Sequence, residues 1–552
     1  MTALAFTAPA QNEPAFTSPP VNGSPSWLAR QLPSGWLIAA LLLWLGLDQL
    51  LLWRFLDIMP VWAYPLGMLL IGGLCVANVR AMPDHRGPTV ATLIACMAVA
   101  LILLMLGGEG RFFYANIDWQ VRLAALNDMR INPWPFVYTA RAEPDVLRFP
   151  IGMFLVPALA GKAWGAGASD IALLLQNAVM LAMLLAMGST LFNKRRERTV
   201  ALTILVGFSG LDALGRILFR GGLSDHMENW AYLQYSSTIT LAFWVPQHAM
   251  SGWIGATGYL LWRDGKASLA QFLTLLPLTA LWSPLGLMGA MPFAALAGMR
   301  ALIARDIRPR DIGLPALALL LATPGLLYLG AANDDVGARL NALPPLQWGL
   351  FELLEVLVYA IPVALIAHAR RFGMDTLVLL TLWLLAIPFV QIGSSTDFMM
   401  RGSVTALTIL AVMLVDLLLV PSRARLFLIV ALAVGALTPL HEIRRAVSHP
   451  AASEVRCSFF MAWRQSFWFQ PMGTYLAPIS HMPALVRPTN PHRASAAEPA
   501  RCWDGQWYHP DGRYGPPHSG GQDGVERKAK GQAHTPQQVP LGREDMAQQS
   551  IQ

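Results

Sequence analysis

Apolar and polar positions alternate along this chain on a long scale, with hydrophobic stretches separated by short polar loops. Crossing roughly 30 Å of hydrocarbon takes about 20 helical residues. Stretches of that kind fall near 36–56, 61–79, 89–108, 169–191, 199–217, 247–262, 268–282, 284–302, 312–330, 348–368, 374–392, 403–420 and 424–440. The pattern predicts an all-α fold, a polytopic transmembrane bundle of about 13 helices, least sharply divided at Ser283 and Pro284.

One further apolar stretch does not fit the series. Residues 149–165, FPIGMFLVPALAGKAWG, are short for a span and carry Pro150, Pro157 and Lys162. Counting them as a span would turn the cluster Lys194, Arg195, Arg196 and Arg198 outward, against the retention of basic loops on the cytoplasmic side. They are therefore expected to form an interfacial or re-entrant helix in the first large extracytoplasmic loop. With that reading every second loop is basic: Arg80 and Arg86, the Lys194 cluster, Arg263 and Lys266, Arg300 to Arg310, Arg370 and Arg371, then Arg423 and Arg425. The N-terminus is then cytoplasmic and the C-terminus extracytoplasmic.

Composition agrees with a bilayer as the apolar solvent. Of 552 residues, 55% are hydrophobic and 13% charged, and mean hydropathy is +0.45, more apolar surface than one soluble core buries. Residues 1–35 carry Glu13 and no early basic cluster, so they read as a disordered cytoplasmic tail rather than a signal peptide. The bundle occupies 36–440, an extracytoplasmic segment follows at 441–482, and 483–552, rich in Pro, Gly, His and Gln, reads as a second disordered tail. The net charge of +7 is accounted for by inward loops and the basic tail, so no nucleic-acid partner is expected. Cys75 and Cys96 lie in apolar runs and are expected to be inert, whereas Cys457 and Cys502 would pair if their region faces an oxidising compartment.

The outward loops hold the unusual chemistry. If Asn116 caps a helix, Asp118 and Arg122 share a face four residues apart, either as a working carboxylate near the interface or as a surface ion pair. His226 and Glu228 would orient a polar substrate or merely solubilise an exposed loop. Gln247 and His248 follow Pro246 at a helix mouth, between Trp244 and Trp253, which serve equally well as interface anchors. Asp397 and Arg401 stand four apart before an apolar helix, so the guanidinium either forks onto a phosphate or pairs locally. Glu352 and Glu355 mark a proton or ion path, or snorkel to water at the outer helix end. Asn333, Asp334 and Asp335 offer oxygen ligands of a kind common in solvated loops. P-loop, dinucleotide, HExxH and CxxC motifs are missing from the sequence, which gives no support to a nucleotide-driven or zinc mechanism.

The run N-x-D-W-x-x-R at Asn116, Asp118, Trp119 and Arg122, then Asn127-Asp128, then Trp134-Pro135, followed by FPIGMFLVPALAGK from Phe149 to Lys162, resembles poorly characterised bacterial members of the GT-C superfamily of membrane glycosyltransferases. The likeness in layout covers roughly residues 85–440. It implies a GT-C-like domain in a bacterial cytoplasmic membrane that moves a sugar, with inversion, from a polyprenyl-phosphate donor to an acceptor on the extracytoplasmic side. Asp118 would take the catalytic role, and Arg122, Asp128, His226, Glu228, Gln247, His248, Asp397 and Arg401 would contact substrates. Two features depart from the family. The aspartate follows the third predicted helix instead of the first, and no D-x-D pair surrounds it, so no cofactor is implied and a divalent metal stays open. A transporter or flippase of a lipid-linked sugar or small solute is the alternative, and would be expected to show internal repeats and ionisable groups near the bilayer midplane. A scaffold without chemistry would leave the long loop around Asp118 unexplained.

Overall fold

The computed structural model describes residues 27–503, apart from 83–86, 225, 332–336, 367–370, 394–395, 468–471, 496–497 and 500–501. The described part is an all-α bundle with little sheet. Among the described residues eight helices are long and apolar enough to cross a membrane: Ser34–Leu56, Ala63–Arg80, Ala166–Ser189, Arg195–Arg220, Pro284–Ile303, Pro309–Gly330, Pro345–Leu365 and Ala424–Ser448. Four shorter apolar helices, Val90–Leu106, Leu269–Leu281, Met374–Phe389 and Val404–Leu419, lie among them. The helix Pro246–Arg263 occupies the remaining predicted stretch and is diluted by Gln247, His248 and Ser251. This is the build of a multi-pass membrane protein.

Local chemistry explains several boundaries. Thr89 Oγ1 accepts from Thr92 N (3.1 Å) and starts Val90–Leu106. The doubtful boundary near Ser283 resolves into two helices, because Ser283 Oγ accepts from Gly286 N (2.9 Å) and Pro284 suits the first helical position. Other stretches are less regular than their hydropathy suggests. The expected span at 199–217 leaves the helical path after Gly207 and resumes at Asp212, and Pro345–Leu365 contains a π-helical stretch, Leu353–Leu357. These breaks touch. A Cβ on Gly210 would collide with the Glu355 carboxyl, and one on Gly435 would meet the Ser209 and Gly210 carbonyls.

The basic loops gather at one end. Arg80, Arg263, Arg300, Arg308 and Arg310 line one cavity, while Lys266 Nζ donates to Thr190 O (2.6 Å) and Arg371 Nη1 to Leu191 O (3.0 Å). The large loop after Val90–Leu106 instead meets the C-terminal segment. Asn116 accepts from Asp118 N (3.1 Å) and caps the helix Ile117–Ile131, as the spacing predicts. The helix Gly152–Trp164 follows, and its 13 residues reach only about 20 Å, short of a span.

Between these helices the loop is not purely helical. Strands Phe136–Tyr138 and Asp145–Leu147 form an antiparallel hairpin, and a four-stranded sheet is completed by Leu476–Pro478 beside the second strand and His492–Arg493 parallel to the first. The expected division of the C-terminal region needs correcting in consequence. Residue 440 lies inside the helix Leu437–Ser448, and past 483 the strand His492–Arg493 joins the sheet and Trp503 bridges Val455. A Cys457–Cys502 disulfide closes this segment on itself. At the other end the tail is shorter than 35 residues, since Gln31 bridges Thr89 and the first helix starts at Ser34. The rest of both predicted tails lies outside the described residues.

Candidate functional site

The start of Ile117–Ile131 is fixed against the end of the short helix Thr238–Trp244. Asn116 Nδ2 and Trp119 Nε1 both donate to Phe243 O, at 2.9 and 2.8 Å. One turn on, Arg122 is buried and forks: Nη2 donates to Asp118 Oδ2 (2.6 Å) and Nη1 to Trp244 O. Burial works against the Arg122 charge, but Asp118 and a hydrogen bond with Tyr475 outweigh it and hold the guanidinium above the usual arginine range. Asp118 itself keeps 24% of its side-chain surface open. The pair is thus neither a solvated surface bridge nor a sealed one: a buried cation presents a reachable carboxylate.

Other predicted residues converge here. The charges of Arg401 and Arg122 both act on His248, and Arg401 also acts on Tyr475. His248 Nδ1 lies 2.7 Å from Ser283 Oγ, so the imidazole is anchored on the first turn of Pro284–Ile303. Asp397 Oδ1 holds Arg401 Nη1 at 2.5 Å, and both side chains stay partly open. Gln247 is buried beside His248, and its Oε1 has no hydrogen-bond partner among the described residues. Tyr475 comes from the C-terminal segment, where its ring stacks on Phe149 (4.8 Å between centroids) and on Phe459 (5.5 Å).

Three predicted contacts lie elsewhere. Asp128 is buried ten residues beyond Asp118, where its Oδ2 accepts from Tyr138 Oη (2.5 Å) and Phe459 N (2.8 Å). It ties the loop helix to the C-terminal segment. Burial pushes its carboxyl up to about 7 against the pull of those two donors. His226 and Glu228 are not solubilising loop residues either. Glu228 is buried and accepts from Ser237 N (2.8 Å) and Gln234 Nε2 (2.9 Å), and burial with nearby Asp212 pushes it up to about 7. For His226 burial is outweighed by Glu442, 3.9 Å away, and by Glu228, so its pKa is raised.

These two belong to a second polar cluster. Asp212 accepts from Ser209 Oγ (2.5 Å) and Thr438 Oγ1 (3.0 Å), and Glu355 accepts from Trp230 Nε1 (2.9 Å). Glu352 accepts from Tyr235 Oη (3.2 Å). Neither Glu352 nor Glu355 snorkels, since each is 1% exposed, and the helix end that carries them is met by Trp230, Ala231 and Tyr235. Glu442 pairs with Arg445 and accepts from Trp244 Nε1 (3.0 Å). Trp244 therefore separates the clusters, with its carbonyl on Arg122 and its indole on Glu442.

Sequence reasoning missed Asp212, Glu442, Arg445 and Tyr475. Asp212 carried a signal, a carboxylate inside a predicted span. Tyr475 carried none, because only the remote sheet pairing of Leu476–Pro478 brings it to Arg122. Among the described residues no three His, Cys, Asp or Glu side chains are grouped to hold a metal ion, and Asn333, Asp334 and Asp335 lie outside the described residues. Comparisons with protein-family models, with curated proteins and with solved structures find no match to this chain.

Proposed function

We propose that this chain is a multi-pass glycosyltransferase of GT-C type, which moves a sugar from a polyprenyl-phosphate donor to an acceptor at the extracytoplasmic face of a bacterial cytoplasmic membrane. The observation that carries the reading is the partly open Asp118 carboxylate, gripped by buried Arg122 in one cluster with His248, Arg401 and Tyr475. Asp118 accepts the proton of the acceptor hydroxyl as that oxygen attacks the anomeric carbon. The bond to the phosphate breaks on the opposite face, with inversion, and the phosphate leaves with the bonding electron pair. Arg401 meets the charge that grows on the phosphate, a role its fork suits. Arg122 positions Asp118, and Ser283 positions the His248 ring. About 13 spans, with the basic loops cytoplasmic and the loop from 107 to 165 outside, complete the reading. The Cys457–Cys502 bond beside this site supports an oxidising outer face.

Membranes containing the protein, given a radiolabelled polyprenyl-phosphate sugar, should release the label into an acceptor fraction without any ion gradient. Absence of turnover at normal protein levels would reject the transferase. Orientation is tested separately: a cysteine replacing Asn127 should react with an impermeant thiol reagent from outside, and one replacing Arg196 should not.

The second cluster favours one other reading. Buried carboxyls at interrupted helices are what secondary transporters use for coupling ions. Gradient-dependent movement of the labelled lipid without transfer would establish that reading instead.

A further inference from the structure

The basic end of the bundle holds a cavity of about 590 Å³, framed by the ends of Ala63–Arg80, Pro246–Arg263 and Pro284–Ile303 and the start of Pro309–Gly330. It lies roughly 22 Å from His248 along Pro246–Arg263, a distance of 15 residues in that helix. Five arginines from three basic loops line it: Arg80, Arg263, and Arg300, Arg308 and Arg310. Retention of basic loops on one side explains why they share an end. It does not explain why they face one another across a cavity, where like charges repel.

The acidic residues nearby are already committed. Asp375 bridges Arg263 (3.0 Å) and Arg300 (2.6 Å), and Asp306 lies 3.5 Å from Arg308. Asp311 spends its carboxylate on two helix starts, accepting from Ala270 N (3.0 Å) and Arg308 N (2.9 Å). Arg80 and Arg310 are left with no ion pair or side-chain hydrogen bond among the described residues, and Arg310 Nε is shielded from water without a partner. A volume of this size exceeds what a single ion needs and lies in the range of small-molecule sites, roughly 300–1,000 Å³. Apolar side chains open to the surroundings, Leu302, Ile303 and Ile312, flank the cavity on the same two helices.

We infer that this cavity binds a phosphate-bearing anion at the basic face of the membrane, with Arg80 and Arg310 as its direct donors. Guanidinium forks match two phosphate oxygens each, and the apolar flank suits the glycerol and first methylenes of an acidic phospholipid. The site is independent of the Asp118 chemistry.

The test uses the full-length protein in phosphatidylcholine nanodiscs, titrated in one arm with short-chain phosphatidylglycerol and in the other with inorganic phosphate, with thermal unfolding followed. Phosphatidylglycerol should raise the unfolding midpoint. Arg80→Gln together with Arg310→Gln should weaken the apparent affinity by about tenfold or more, because two charge-assisted contacts are lost. Arg423→Gln, an exposed cation outside the cavity lining, should leave the affinity unchanged. Stabilisation by phosphatidylglycerol alone identifies a lipid headgroup, and equal stabilisation by inorganic phosphate identifies a free phosphate anion; both support the site. No shift with either probe, or an equal loss in Arg423→Gln, would overturn it.

Discussion

The two polar clusters on either side of Trp244 differ in how they balance charge. On the Arg122 side two carboxylates, Asp118 and Asp397, face two arginines, each pair sits on one helix four residues apart, and the carboxylates stay partly open. On the Glu442 side Asp212, Glu228, Glu355 and Glu442 are all buried, with Arg445 paired to Glu442 and His226 3.9 Å from it. Unpaired buried charges are expensive. Asp212 and Glu355 are buried with no ion pair among the described residues, whereas Asp118 is paired with Arg122. The contrast is between partly open ion pairs and a sealed, carboxyl-rich cluster, and Trp244 touches both.

The sharpest break of this comparison is at Asp118. If it is the base, Asp118→Asn keeps size and the capped helix but removes the proton acceptor, and transfer should fall by roughly 10² to 10⁴ fold at matched expression. Asp118→Glu should be intermediate, since the carboxylate survives but moves by about one methylene. Near-normal transfer in the Asn variant would reduce the pair to a structural contact that holds the buried Arg122 side chain.

Arg401 should give the next largest effect. Arg401→Ala should raise the apparent donor requirement by about tenfold or more, and Arg401→Lys should recover part of it, because charge survives but the fork does not. Unchanged donor dependence in the alanine variant would confine Arg401 to its pairing with Asp397.

How far the sequence could see follows from the reach of each signal. The Asp118–Arg122 and Asp397–Arg401 pairs are local, one helical turn apart, and their spacing alone placed them on common faces. Helix positions were legible for the same reason, since each span reports on its own apolarity. For His226 and Glu228 the polar loop allowed either substrate contact or solubility, yet Glu442 and Asp212 come from remote helices to leave His226 half-buried and Glu228 buried. The strand at His492–Arg493 was invisible in a Pro- and Ala-rich stretch, as its partner at Phe136–Tyr138 is more than 350 residues away. Hydropathy also ran straight through the breaks at Gly207 and at Leu353–Leu357, which depend on neighbouring backbone.

A smaller effect on transfer is expected from the buried cluster. Glu355→Gln keeps a hydrogen-bonding group opposite Asp212 while removing one titrating carboxyl, so sugar transfer should stay within about threefold of wild type if the clusters are separate. Complete loss of activity, with the protein still inserted, would make the buried carboxyls part of the working cycle and favour the transporter.

The least effect on chemistry, and the clearest pH signature, belongs to Asp128. Its carboxyl stands near 7 in the folded protein because burial raises it, against about 3.9 for an unperturbed aspartate. Between those values the folded state holds a proton that the unfolded state has released, so stability falls as pH rises. The contribution is fully present below about pH 4 and is lost as pH climbs through about 7. Because Asp128 joins Ile117–Ile131 to Phe459 and Tyr138, the loss should appear as looser docking of the C-terminal segment. Limited proteolysis of that segment should accelerate from pH 5 toward pH 8, and the unfolding midpoint should drop by about 2–4 °C over the same interval. Asp128→Asn keeps acceptors for Phe459 N and Tyr138 Oη but cannot ionise, so both trends should flatten. An undiminished pH slope in that variant would move the titration elsewhere, with His226 and Glu228 the first groups to examine.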